Sequence, residues 1–345
     1  MHIIRTVIYK TEGKMATKYI MTKGNLERKD NSINFKNENG NNYIPIENID
    51  EIYCLNEVSF NTKLIDFLSK NGVTLHLFNH YEGYSGTFYP RDKYVSGNLT
   101  IKQVKAYEVK REKIARAIVL GIAANIHEVL YHYYRHDCIA LKPYLDYLKK
   151  DVPEELKEAT TVNEIMLIEA KIWNCFYEQF NYFLRNDFVM NKRVKRPPDN
   201  PINALISYGN TILYTKTISQ IYQTHLNQTI SFLHSAGESR FSLSLDLSEV
   251  FKPIIVYKTI FDCINNRKLS VEKHFDKKLN YCLLNETGMK IFISALEERF
   301  SQTYENKKLK RKVSLLTSIK YDAYKLIKEI LEDVDFVPFS LHNKY

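Results

Sequence analysis

The chain has 345 residues, 44% hydrophobic and 26% charged, which is enough for two domains with a buried core. Lysine and arginine outnumber the acids by 49 to 40, and the net charge of +9 favours a polyanionic partner. The five cysteines are odd in number and form no CxxC pair, which excludes a zinc knuckle and indicates a reducing compartment. No apolar run approaches a membrane span and no signal-peptide core opens the chain, so we expect a cytoplasmic protein without a membrane partner.

The N-terminal third is predicted to be rich in β-structure. Residues 1–15 differ from the rest of the chain and are interpreted as a leader or an extended start. Residues 16–92 alternate short β-branched and aromatic runs with turns, which is typical of a β-sandwich-like domain. Asn61 is expected to cap its helix, and His76 is expected to be a core histidine. Strands are predicted at 19–22, 32–35, 42–45, 49–54, 73–78 and 86–89, a hairpin turn at 38–41, and a helix from 61 to 70.

After a linker at 93–99 the hydrophobic period becomes helical, so 100–345 is predicted to be a larger, all-α domain. The fold class is therefore α+β. Pro253 should kink the fifth helix, because proline removes a backbone hydrogen bond and clashes with the preceding turn. Helices are predicted at 100–135, 138–149, 163–185, 202–233, 242–265, 271–283, 287–304 and 308–332.

One carboxylate falls on an apolar helix face. At about 100° per residue, Glu169 lies within the arc formed by Ile165, Ile172, Phe176, Phe180 and Phe183. Carboxylates are almost never buried without a partner, because desolvating the charge costs several kcal/mol. Glu169 therefore needs either a metal cation or a buried Arg or Lys.

A second group of polar residues surrounds a predicted corner. His234 precedes the turn at Ala236 and Gly237, and Asp246 and Glu249 follow on a helix, roughly 60° apart at the edge of its apolar stripe. A histidine facing two carboxylates is a plausible divalent metal site. The alternative is a core histidine with two solvated acids. If Glu169 joins them, the donors suit Mg²⁺ or Mn²⁺ better than a structural zinc.

Several motifs resemble a known family. FLHSAGESRFSLSLDLSEVFKPIIVYKTIF is similar to the signature of CRISPR-associated protein one, the metal-dependent endonuclease and integrase that acquires new spacers. NALISYGNTILYT, NETGMKIFISALEERF, LKRKVS and EVSFNTKLIDFLSKNGVTLHLF resemble the same family, in the same order, and the similarity is greatest to the type I-B branch.

This resemblance implies a metal held by a Glu, a His and a second acid, which fall on Glu169, His234 and Glu249, with Asp246 as the neighbouring acid. Many relatives have Asp at the last position, so Glu249 is one methylene longer. The resemblance also implies that the all-α domain is the metal-dependent catalytic domain and that the β-rich domain forms a homodimer. Two such dimers would flank a dimer of the small second CRISPR-associated protein in a heterohexamer that acts on double-stranded DNA, both protospacer and CRISPR repeat.

Basic residues are the candidates for DNA contacts. Arg240 and Lys252 flank the acidic helix and could reach the reacting phosphate. Two further clusters could bind the phosphate backbone, although a charge run is often only a solvated surface. They comprise Lys192, Arg193, Lys195 and Arg196 in a loop, and Lys310, Arg311 and Lys312 at the start of a helix.

Two functions remain open from the sequence. The first is an integrase that joins 3′ ends of short duplexes to the repeat by transesterification. The alternative is a non-catalytic DNA-binding protein with an ion pair in place of the metal.

Overall fold

The computed structural model describes residues 8–11, 15–79, 83–90, 96–185, 187–195, 197–236, 241–278, 281–306 and 309–341. The chain forms two compact units, Met1–Lys93 and Tyr94–Tyr345. The first is rich in strands and the second is mainly helical, so the predicted α+β class is confirmed.

The first unit contains two sheets. The five-stranded sheet has the order β1-β2-β6-β8-β9, with β2, β6 and β8 parallel, and the four-stranded sheet has the order β5-β4-β3-β7. The strands are β1 (Ile8–Thr11), β2 (Met15–Ile20), β3 (Gly24–Lys29), β4 (Ser32–Asn37), β5 (Gly40–Pro45), β6 (Glu51–Cys54), β7 (Val58–Phe60), β8 (Thr74–Phe78) and β9 (Tyr84–Phe88).

One helix, α1 (Thr62–Asn71), belongs to this unit and has the predicted ends. The Asn61 side chain accepts a hydrogen bond from the Leu64 amide, and Gly72 ends the helix at φ 71°, a conformation that glycine adopts at no steric cost. The buried core includes Leu26, Ile33, Ile52, Leu64, Leu68 and Leu75. His76 is fully buried, with Nδ1 2.7 Å from the Thr87 hydroxyl, which satisfies a core histidine.

The second unit is built mainly of helices. They are α2 (Gly97–Tyr134), α3 (Lys142–Asp146), α4 (Val152–Glu158), α5 (Val162–Glu178), α6 (Pro201–Tyr222), α7 (Ser242–Phe251), α8 (Lys258–Asn265), α9 (Val271–His274), α10 (Glu286–Ser301) and α11 (Leu315–Glu332). A π-helical turn, Lys252–Tyr257, joins α7 to α8 and contains Pro253. The wider turn accommodates the missing proline N–H, so the predicted distortion falls there. Helix α2 packs against α5, α7 and the π turn.

Four helix predictions are wrong in extent or type. The helix predicted at 163–185 ends at Glu178, and a short 3-10 turn, Phe180–Tyr182, follows. The helix predicted at 202–233 ends at Tyr222, and irregular backbone follows. The segment 271–283 forms only α9 before an antiparallel hairpin, β10 (Phe275–Lys278) and β11 (Tyr281–Leu284). The segment 308–332 begins in a second hairpin, β12 (Thr303–Asn306) and β13 (Arg311–Ser314), which contains part of the basic run.

Helix α2 meets the length and composition of a membrane span, with a mean hydropathy of 1.4 over its most apolar 18 residues. Length and composition alone therefore do not confirm the expectation that no segment could span a membrane. However, 61% of that window is buried inside the structure, as in the core helix of a soluble protein.

The segment after α11 packs within its own unit. Asp322 accepts a hydrogen bond from the Phe339 amide at 2.7 Å, and Glu329 accepts one from the Phe336 amide at 2.8 Å. The Phe339 ring stacks on Phe251 at 5.4 Å. Phe336 and Phe339 thus contribute to the core of the helical unit.

Candidate functional site

Asp246 holds the backbone that presents His234. Its Oδ2 accepts hydrogen bonds from the Phe232 and Leu233 amides at 2.7 and 2.9 Å, and its Oδ1 accepts one from the His234 amide at 3.0 Å. The same Oδ1 lies 2.8 Å from Nδ1 of the His234 ring. Because a carboxylate can only accept, Nδ1 is the donor, and Nε2 is the ring nitrogen with an available lone pair.

The irregular segment after α6 is also anchored from α2. The Gln103 side chain donates to the carbonyls of Asn227 and Ile230 at 2.9 and 3.0 Å and accepts from the Asn227 amide at 3.0 Å. Gln103 is fully buried. These bonds satisfy backbone groups that would otherwise be paired within a helix. They also position the segment that leads from α6 to His234.

Glu169 lies on α5, partly buried, one helical turn before Trp173. The Trp173 indole Nε1 donates to Glu169 Oε1 at 2.6 Å. Trp173 is the chain's single tryptophan and is 8% exposed. This short bond to a carboxylate is of the charge-assisted kind.

Glu249 occupies the next turn of α7 after Asp246 and is 4% exposed. Its Oε1 pairs with the Lys252 ammonium, which also lies 5.8 Å from the centre of the Trp173 ring. Its Oε2 is buried and has no hydrogen-bond partner within the described part of the chain. A buried carboxylate oxygen left without a partner is costly unless a cation binds there.

The four groups also influence one another's charge. Burial, and then the Glu249 charge, raises the pKa of Glu169 to about 7, against the opposing effects of Lys252, His234 and the Trp173 hydrogen bond. Burial works against protonation of His234, but the hydrogen bond and charge of Asp246, together with Glu249 and Glu169, raise its pKa. Glu169, His234, Asp246 and Glu249 therefore form one electrostatic unit, the acid–histidine cluster.

The cluster fits a divalent ion in its chemistry. Two carboxylates and an imidazole are suitable donors, and Glu249 Oε2 lacks a partner. As the side chains stand, no three His, Cys, Asp or Glu residues in the described ranges are close enough together to hold a metal ion. Lys252 supplies the positive charge beside Glu249 instead.

The basic candidates fall into three groups. Lys192, Lys195, Lys310, Arg311 and Lys312 are exposed, the last two on β13. Arg193 instead donates to Asn203 Oδ1 at 3.1 Å and to Ser207 Oγ at 2.9 Å. These hydrogen bonds connect its loop to α6. Arg196 and Arg240 lie outside the described residues.

Two residues of the site were missed from the sequence. Trp173 follows Glu169 by four residues, a spacing that places both on one face of α5 and could have identified it. The role of Gln103 could not be predicted from the sequence, because its hydrogen-bond partners lie more than 120 residues away in the chain.

The comparisons with known proteins agree with the motif-based prediction. The family model described as CRISPR associated protein Cas1 matches residues 18–298. A CRISPR-associated endonuclease Cas1 of Thermodesulfovibrio yellowstonii is 41% identical over 94% of this chain and 99% of its own. The chain therefore belongs to the Cas1 family.

Solved structures show the same fold. A Cas1 protein from Thermotoga maritima is 36% identical, with a TM-score of 0.80, over 92% of this chain and 97% of its own. Two structures share the fold alone, at 18% identity. One is a casposase bound to an integration product (TM-score 0.79, 95% of this chain and 94% of its own), and the other is a Cas6-RT-Cas1–Cas2 complex (0.82, 97% and 37%).

Proposed function

We propose that this chain is a metal-dependent DNA endonuclease and integrase of CRISPR adaptation, which inserts short duplex protospacers into the repeat through attack by a 3′-hydroxyl. The observation that supports this most directly is the partnerless, buried Oε2 of Glu249 beside Glu169 and His234. In a member of the Cas1 family, such an arrangement is best explained as a site that binds a cation.

Glu169, His234 and Glu249 are the proposed ligands of Mg²⁺ or Mn²⁺. When bound, such an ion polarises a phosphodiester and stabilises charge on its oxygens. Asp246 is assigned a different role from the three ligands, because its oxygens already accept three backbone amides and the His234 ring. It orients the imidazole so that Nε2 is the free nitrogen.

The charged side chains around the cluster would bind the DNA. The Lys252 ammonium pairs with the Glu249 carboxylate and neutralises its charge while no ion is bound. Once an ion displaces it from Glu249, Lys252 would be available to bind a phosphate. The exposed Lys192, Lys195, Lys310, Arg311 and Lys312 would contact the backbone of double-stranded DNA without reading sequence. We assign Arg193 to the structure of its loop rather than to DNA.

The proposed assembly is a homodimer formed through the strand-rich unit, with two dimers flanking a dimer of the second CRISPR-associated protein. It is supported by the family membership and by the fold shared with the Cas1–Cas2 complex. Light scattering of the chain, alone and with the companion protein, tests it. A monomer that does not associate with the companion would contradict it.

The activity test is strand transfer of a labelled short duplex into a plasmid that contains the repeat, with Mn²⁺ or Mg²⁺ and with or without the companion protein. We expect joining by the wild type and its loss in Glu169→Ala and His234→Ala. Glu178→Ala removes an exposed acid from the same helix and should retain activity. Equal joining by all variants would refute the assignment of the site.

A second function is supported by the ion pair of Lys252 with Glu249, which could replace the metal permanently. The chain would then bind DNA without reacting with it. A folded wild type that binds duplex DNA but shows no metal binding and no joining would favour this alternative.

A further inference from the structure

The indole of Trp173 makes a hydrogen bond as well as aromatic packing contacts. Its indole N–H is directed at one oxygen of Glu169 at 2.6 Å, and its ring is held in place by aromatic neighbours. Tyr257 lies 5.5 Å from it between ring centres, and Tyr177 stacks at 6.2 Å with 22° between planes. Tyr177 and Tyr257 are joined by a hydrogen bond between their hydroxyls at 2.8 Å.

The consequence for Glu169 is a fixed orientation. A long carboxylate side chain has several accessible rotamers, and a hydrogen bond from an indole packed against two tyrosines restricts them. Oε1 is therefore anchored, and within the described residues no hydrogen bond is made to Oε2. Only the second oxygen is then left to act as a metal ligand.

We infer that Trp173 is the positioning residue of the proposed ion site: its indole N–H holds Oε1 of Glu169, so that only Oε2 is left to join Glu249 and His234 in binding a divalent cation. The inference rests on the proposed function. It assigns Trp173 no contact with DNA or with the ion, since it acts only through Glu169.

The single tryptophan permits a substitution at one atom. In a tryptophan-requiring host, an isosteric analogue with sulfur in place of the indole N–H would enter only position 173. The analogue keeps the ring packing and removes the donor; Trp173→Phe also removes the donor but loses the second ring of the indole. Tyr144→Phe is the matched control, because it removes a buried hydroxyl that donates to the Ile172 carbonyl of α5 and leaves the bond to Glu169 and the two tyrosines beside the indole in place.

Mn²⁺ affinity of the full chain, measured by calorimetry without DNA, is the primary readout. We expect the analogue and Trp173→Phe to raise the Kd for Mn²⁺ about tenfold or more, with melting temperatures that show folded protein and an unchanged Kd in Tyr144→Phe. An unchanged Kd in the folded analogue would overturn the inference. So would an equal loss of affinity in Tyr144→Phe, because it would indicate a general packing effect.

The indole N–H resonance separates this inference from the proposed function. In ¹⁵N-labelled protein, the one indole signal should shift in Glu169→Ala and should broaden when Mn²⁺ is added to the wild type. If it shifts in Glu169→Ala but the wild type binds no Mn²⁺, the metal-dependent function fails and so does the positioning role, although the contact is real. If Mn²⁺ binds but Glu169→Ala leaves the signal unmoved, the positioning role alone fails.

Discussion

Replacing Glu169 with Gln should stabilise the metal-free protein, and only above mildly acidic pH. Burial and the Glu249 charge raise the pKa of Glu169 from 4.5 to about 7. The folded chain therefore holds this proton more tightly than the unfolded chain does. Between pH 4.5 and 7 the folded state loses stability as pH rises, and above pH 7 the full penalty is present. Gln keeps the shape and an oxygen for Trp173 but has no charge.

The magnitude follows from the same values. A pKa raised from 4.5 to about 7 corresponds to about 3 kcal/mol at about 1.4 kcal/mol per pH unit. Because the side chain is partly exposed, water screens part of this, and we expect about 1–2 kcal/mol at pH 8. For a unit of this size, that would raise the melting temperature by roughly 2–8 °C.

The assay is thermal unfolding in EDTA at pH 5 and pH 8, followed by circular dichroism. Glu169→Gln should melt well above the wild type at pH 8 and close to it at pH 5. Glu178→Gln, at an exposed position on the same helix, should match the wild type at both. If Glu169→Gln destabilises the protein at pH 8, or has the same effect at both pH values, then the charge of Glu169 does not destabilise the folded chain.

Three further predictions concern other parts of the chain. Asp246→Asn should cost about 2–4 kcal/mol of stability and at least tenfold in joining activity, since it weakens the bonds that hold His234; wild-type joining would refute its positioning role. Gly209→Ala should destabilise α6 by about 1–2 kcal/mol in urea unfolding, because its new Cβ would lie 2.6 Å from Val256 Cγ1, and Val256→Ala in the same chain should recover part of that loss. Lys18→Met should stabilise the strand-rich unit by about 1–2 kcal/mol at pH 7, because burial lowers the pKa of Lys18 to about 8 and disfavours its charged form when folded. That gain should shrink as pH rises from 8 towards 10.5, and a gain that grows with pH would refute it.

The sequence determined the features that depend on local spacing. The N-cap at Asn61 and the glycine end of α1 were predictable because capping involves residues three or four apart. Glu169 was identified on an apolar face of its helix for the same reason. The change from β to helical periodicity gave the fold class, and the ordered motifs gave the family.

The tertiary structure decided where α6 ends and where the β10–β11 hairpin forms, because both depend on residues that are distant in the chain. Helix α6 ends at Tyr222, and the backbone after it is held by Gln103 and Asp246 rather than by its own helical bonds. The hairpin formed by β10 and β11 is fixed by cross-strand pairing and by the Cys282 amide, which donates to the Pro198 carbonyl at 2.8 Å.

The different surroundings of Asp246 and Glu249 were also decided by the tertiary structure. The sequence placed Asp246 and Glu249 side by side on one helix and could not distinguish them. The fold surrounds Asp246 with amides and the His234 ring, whereas Glu249 Oε2 is buried without a partner among the described residues. Which carboxylate is fully hydrogen-bonded and which keeps an oxygen without a partner depends on what packs around each of them, and helical spacing does not reveal those neighbours.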